Sequence, residues 1–140
     1  GSEMCIRDRI LIVHEVTVEE VRAQKLNELR LYDSSEAVNQ FSIDNVSGWW
    51  NKATRVGLMN SIAIEKASGR TETNIWLDNT LFVLPVEKAI DMLQQIELYA
   101  LMCYNTTQGH INAINQLETK EEIEVYNFKT GYPGKLNFIG

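Results

Sequence analysis

Thr71-Glu72-Thr73-Asn74-Ile75-Trp76-Leu77-Asp78-Asn79-Thr80-Leu81-Phe82-Val83-Leu84-Pro85 is the stretch on which the fold turns. Two runs rich in Thr, Ile, Val and aromatic residues flank Asp78-Asn79, a dipeptide that tolerates the left-handed backbone of a tight turn. Pro85 then fixes φ and lacks an N–H, which suits the first position of a helix. Behind it Ala89, Ile90, Leu93, Ile96, Ala100 and Cys103 recur at helical spacing. Ile111, Ile114 and Leu117 continue the pattern, with room for a break between Thr106 and Gly109. A hairpin that feeds one long helix predicts an α+β fold with segment 85–117 as its central element.

Working outward, Asn51 is a good N-cap for a helix from about Lys52 to Ser68, and Gly69 stands where a helix-terminating glycine belongs. Val56, Met59, Ile62 and Ala63 mark its apolar stripe. Before it, Val38, Phe41, Ile43 and Val46 lie among polar residues around a turn at Asp44-Asn45, a first hairpin closed by Trp49 and Trp50. Thr17-Val18-Glu19-Glu20 is a capping box opening a helix to about Tyr32. Its stripe of Val18, Val21, Leu26 and Leu29 is partial, which predicts a helix that is peripheral or packs on a partner. Thr119-Lys120-Glu121-Glu122 is a second capping box, for a short helix ending near Tyr126, and Tyr132-Pro133-Gly134-Lys135-Leu136 reads as a turn leading out. The expected architecture is two β-hairpins alternating with helices and a long central C-terminal helix. Three segments are expected: a cloning scar and adapter-like segment at 1–9, a peripheral strand and helix at 10–33, and a single α+β domain at 34–140.

The chain's 140 residues suit one domain, and 44% hydrophobic residues suffice for a core. A formal net charge of -6 repels phosphate backbones and disfavours non-specific binding of duplex nucleic acid. Two cysteines, Cys5 and Cys103, make no disulfide framework and no CxxC pair. No run approaches the length of a membrane span, and Ile10-Leu11-Ile12-Val13 is too short for the core of a secretion signal. Without such a signal, the acceptor patterns at Asn45 and Asn105 carry no weight.

Chemistry-bearing motifs are sparse. His14 and His110 begin no HxH or HxxxH pair, so no metal site is expected. No GxSxG, GxxxxGK or GxGxxG occurs, and nothing near Cys103 in sequence would lower its pKa. The reading is non-enzymatic, with no catalytic residue and no cofactor. Trp50 and Trp76 offer flat apolar area on which a base could stack. Lys52, Arg55 and Arg70 offer charge for a phosphate or carboxylate, and Tyr132 sits in a Gly-Tyr-Pro-Gly turn that could hold a ring over a pocket mouth. A ligand would sit where these six converge. The structural alternative makes Trp50, Trp76 and Tyr132 one aromatic core cluster and pairs Arg55 with Glu97.

Ile96-Glu97-Leu98-Tyr99-Ala100-Leu101-Met102-Cys103-Tyr104 is apolar on nearly every side. A small domain can hardly cover such a helix all round, so Ile96, Tyr99, Leu101, Met102 and Tyr104 are candidates for a homo-oligomer interface.

Several blocks carry a resemblance. They include Asp33-Ser34-Ser35, Ala37-Val38-Asn39-Gln40-Phe41, Trp50-Asn51-Lys52-Ala53-Thr54-Arg55 and Ile64-Glu65-Lys66-Ala67. Further along come Ile75-Trp76, Glu97-Leu98-Tyr99-Ala100, Cys103-Tyr104-Asn105-Thr106-Thr107, His110 and Gly131-Tyr132-Pro133-Gly134-Lys135-Leu136. In this order, over about three quarters of the chain, they resemble an uncharacterised domain family of phages and prophages, often found in tail-fibre-region proteins. The chain has Asn51 where the family tends to carry an acid; either caps a helix. Gly1-Ser2 resembles a cloning scar, and Met4-Cys5-Ile6-Arg7-Asp8-Arg9 a translated sequencing adapter, which suggests a metagenome-derived frame extending upstream. Cys5, Arg7 and Arg9 therefore carry no functional weight. The resemblance implies an oligomeric structural or assembly module of the virion or tail-fibre region, placed in the virion or the infected host cytoplasm. The alternative is a counter-defence sponge that sequesters a nucleotide immune signal, a cyclic oligonucleotide or an ADP-ribose type.

Overall fold

The structure, a computed structural model, describes residues 15–140. The expected segment 1–9, the run at 10–13 and His14 lie outside them. Helix α1 (Val18–Asp33) is followed by β1 (Phe41–Ile43), β2 (Val46–Gly48) and α2 (Lys52–Ala67). Strands β3 (Glu72–Leu77) and β4 (Thr80–Pro85) then lead into α3 (Val86–Gln116), α4 (Lys120–Val125) and β5 (Leu136–Phe138). The fold is α+β.

Local chemistry sets most boundaries. Thr17 and Thr119 each cap a helix reciprocally with Glu20 and Glu122, and Asn51 accepts from the Thr54 N–H at 2.8 Å. Both hairpin turns place two residues at positive φ, Asp44 and Asn45 at 48° and 69°, Asp78 and Asn79 at 47° and 62°. That twist matches the flanking strands. In β3, Thr73, Ile75 and Leu77 face inward, and Trp76 faces outward.

Three expectations are corrected. The first hairpin is part of a three-stranded sheet, order β2-β1-β5, in which β5 runs parallel to β1 with Phe41 opposite Leu136 and Ile43 opposite Phe138. The tail expected to lead out instead completes that sheet. Helix α3 is unbroken over its 31 residues, about 46 Å at 1.5 Å per residue; the Thr106 hydroxyl bonds back to Met102 O at 2.9 Å, within the helix. Pro85 is the last residue of β4 and the helix N-cap, so Val86 occupies the first helical position and donates its N–H to Thr71 O at 3.0 Å. Helix α1 buries one side chain, Leu29, against Ile114, Ile123 and Phe128.

Helix α3 is the spine of the molecule. Its first half closes the main core with Ile62 of α2 and the inward residues of both sheets, Phe41, Ile43, Ile75 and Leu84 among them. Its second half packs on α1 and α4, and Tyr99 and Cys103 join the halves against Val38. Gly48 allows the close approach of β2 to β3: a Cβ there would lie 2.5 Å from Leu77 Cδ1.

Candidate functional site

The six candidate ligand residues do not converge. Trp50 packs on Phe41, edge to face, at 4.8 Å between ring centres. Arg55 donates through Nε to Glu97 at 2.6 Å and through Nη1 to the Trp50 carbonyl at 2.8 Å. Its side chain is only 12% exposed, so the guanidinium is occupied as a brace between α2 and α3. Lys52 is exposed on the first turn of α2. Arg70 pairs with Glu65 at 3.0 Å. Glu65 also accepts from the Thr73 hydroxyl, and that hydrogen bond, followed by Arg70, holds its carboxyl below the usual range. Trp76 is 61% exposed opposite Leu81 on the outer face of the second hairpin. Tyr132 belongs to a separate group at the other end of α3. The single aromatic core cluster of the structural alternative is therefore not formed either, whereas its Arg55–Glu97 pair is. An open groove of about 480 Å³ beside Trp49 and Trp50 is lined by Glu36 and Asp78, acids that oppose a phosphate.

Tyr132 closes a polar cluster that sequence reasoning missed. Thr107 donates its only hydroxyl proton to Asp33 Oδ1 at 2.8 Å, so the Tyr132 hydroxyl, 2.6 Å away, donates to Thr107. Burial pushes the Tyr132 phenol up. His110 Nε2 lies 2.7 Å from Thr130 O, and a carbonyl only accepts, so Nε2 carries a proton. In the neutral ring Nδ1 then accepts from the Tyr126 hydroxyl at 2.6 Å. The cluster ties the end of α1 and the segment after α4 to α3. Its signal was present in the sequence: Thr107 and His110 stand at 4 and 3 residue steps on the buried stripe from Cys103 to Ile114. It is not a nucleophile–base pair. Cys103 and His110 are two helical turns apart, about 10 Å along the axis, and burial pushes the Cys103 thiol up rather than down. Among the described residues no group of His, Cys, Asp and Glu could hold a metal ion.

The interface candidates divide. Ile96 and Tyr99 are 2% and 6% exposed, covered inside the domain by the main core and by Val38, and they are withdrawn from the interface. Leu101, Met102 and Tyr104 are each more than half exposed, as is Leu98, which had not been singled out. Leu98 and Leu101 line an open groove of about 540 Å³ with Met59, Gln94 and Glu97. From 98 to 117 the sequence contains no Asp, Glu, Lys or Arg. The outer face of α3 is thus apolar at Leu98 and Leu101 and uncharged beyond them.

No protein-family model, curated protein or solved structure matches the chain.

Proposed function

We propose that this chain is a non-enzymatic module that associates with copies of itself, serving in assembly of the virion or tail-fibre region. The observation that carries the reading is the exposed outer face of α3 from Leu98 onward, where the sequence has no Asp, Glu, Lys or Arg. Two copies of a domain with net charge -6 repel one another, and a twofold contact sets one patch against its own copy. Self-contact is therefore least opposed where the surface has no charge, and here that surface also offers Leu98, Leu101, Met102 and Tyr104. The resemblance to tail-fibre-region domains supports a virion or infected-cell setting. Among the described residues no helix is long and apolar enough to cross a membrane.

Light scattering on the native chain is expected to give an oligomer. Leu101→Glu is expected to give a folded monomer, because Leu101 is 53% exposed and contributes little to the core; its melting temperature falls only by what association had added. A native chain that stays monomeric at high concentration overturns the reading. The sponge alternative predicts a stabilisation of about 2.7 kcal/mol at a hundredfold excess over Kd. A melting panel of cyclic oligonucleotides and ADP-ribose is expected to show no such shift.

A further inference from the structure

Along the outer face of α3, Gln94, Leu98, Leu101, Asn105 and Gln108 recur at spacings of 4, 3, 4 and 3, and Asn112 and Asn115 extend the series. All are exposed, on the side opposite the buried stripe. This is the spacing of a coiled-coil seam, with leucines at one place and carboxamides along the rest. Upstream the seam continues through Asp91 and Glu87, both exposed.

Resting on the self-association reading, we propose that two copies pair through α3, antiparallel about a twofold axis centred between Leu98 and Leu101. Charge decides the direction. A parallel pair in register would set Asp91 against the partner's Asp91 and Glu87 against the partner's Glu87, two like-charge contacts. The antiparallel pair sets Leu98 against the partner's Leu101 and Gln94 against the partner's Asn105. By the same symmetry Asp91 faces the partner's Gln108, and Glu87 faces the partner's Asn112. Each carboxylate then meets a side-chain NH2 that can donate to it, and the leucines pack together at the centre. Met59 of α2, which lines the groove with Leu98 and Leu101, widens the apolar floor. A slip of one heptad still sets amide against amide along the rest of the seam but places Leu98 against the partner's Gln108, so the central leucine contact is what is lost. That favours one alignment over its slipped neighbours.

The test is disulfide formation between introduced thiols, in chains whose Cys5 is replaced by Ser; Cys103 is buried. Gln94→Cys and Asn105→Cys chains are made singly and co-expressed, then oxidised. The co-expressed pair is expected to give a covalent dimer. Neither variant alone should, since in the antiparallel pair each introduced cysteine lies about 16 Å along the axis from its own counterpart, beyond the reach of a disulfide. Self-linking of each single variant would show a parallel pair and overturn the proposal, leaving self-association intact. A dimer by light scattering with no cross-link in any combination would place the contact elsewhere and also overturn it. A monomer by light scattering removes the self-association reading, and this proposal with it.

Discussion

The guanidinium of Arg55 is committed in two directions, to the Glu97 carboxylate on α3 and to the Trp50 carbonyl just before α2. Removing it leaves that carbonyl short of a donor and Glu97 without its cation. Arg55→Ala is expected to cost about 1–2 kcal/mol in urea unfolding, around the lower end of the range for charged hydrogen bonds, because Glu97 stays 40% exposed and water replaces part of the loss. Trp76 is the opposite case. It is among the largest side chains in the sequence, yet it stands outside the core, opposite Leu81 across the hairpin. Trp76→Ala is expected to cost under about 1 kcal/mol, the scale of one cross-strand pair, instead of the 3–5 kcal/mol of a buried aromatic truncation. A loss above 3 kcal/mol would show that the outer face of the hairpin is covered in solution.

At the scale of elements, what could be read in advance was what neighbours in sequence decide. The capping threonines, Asn51, the Asp44-Asn45 and Asp78-Asn79 turns and Gly69 act within four residues, and each marks a boundary where the structure has one. What escaped depends on distant partners. Leu136-Asn137-Phe138 is too short to show an alternation, and it is a strand because β1 lies beside it. Leu136 packs against both the main core and the Tyr99–Cys103 group, so Leu136→Ala is expected to cost about 1–2 kcal/mol, part of the 2–5 kcal/mol of a fully buried leucine. A neutral result would mean β5 is not docked. The candidate site was half legible for the same reason. An apolar run announces a helix with too many apolar sides. Which of those sides the rest of the chain covers, Ile96 and Tyr99 but not Leu98 and Leu101, depends on where the sheets and Val38 come to rest.

The molecule as a whole carries its titratable groups so that stability narrows at both ends of the pH scale. Burial raises Cys103 above 9.0 and both Tyr99 and Tyr132 above 10.0, their ordinary values. The unfolded chain gives up these protons first, so their contribution is complete below about pH 9 and is lost as pH rises through the folded values. Glu65 and Glu122 are lowered from 4.5, by the Thr73 hydroxyl and then Arg70 in one case and by the Glu118 and Thr119 groups in the other. Their contribution is present above that value and is lost as pH falls below it. A melting-temperature profile is expected to be flat between about pH 5 and 8 and to fall on both sides. A profile level to pH 11 would contradict the burial of Cys103, Tyr99 and Tyr132.

The parallel pairing of β1 with β5 also has a consequence in time. Ser42 and Asn137, bonded at 2.6 Å, are separated by 95 residues. A ribosome adding about 5–20 residues per second takes roughly 5–20 s to make the second strand after the first. For that interval one edge of β1 has no strand beside it, and an open edge beside Phe41 and Ile43 is a site where nascent chains on one message can pair with each other. Translation speed downstream of β1 therefore sets how long each newborn copy is open to the wrong neighbour, before its own last strand arrives.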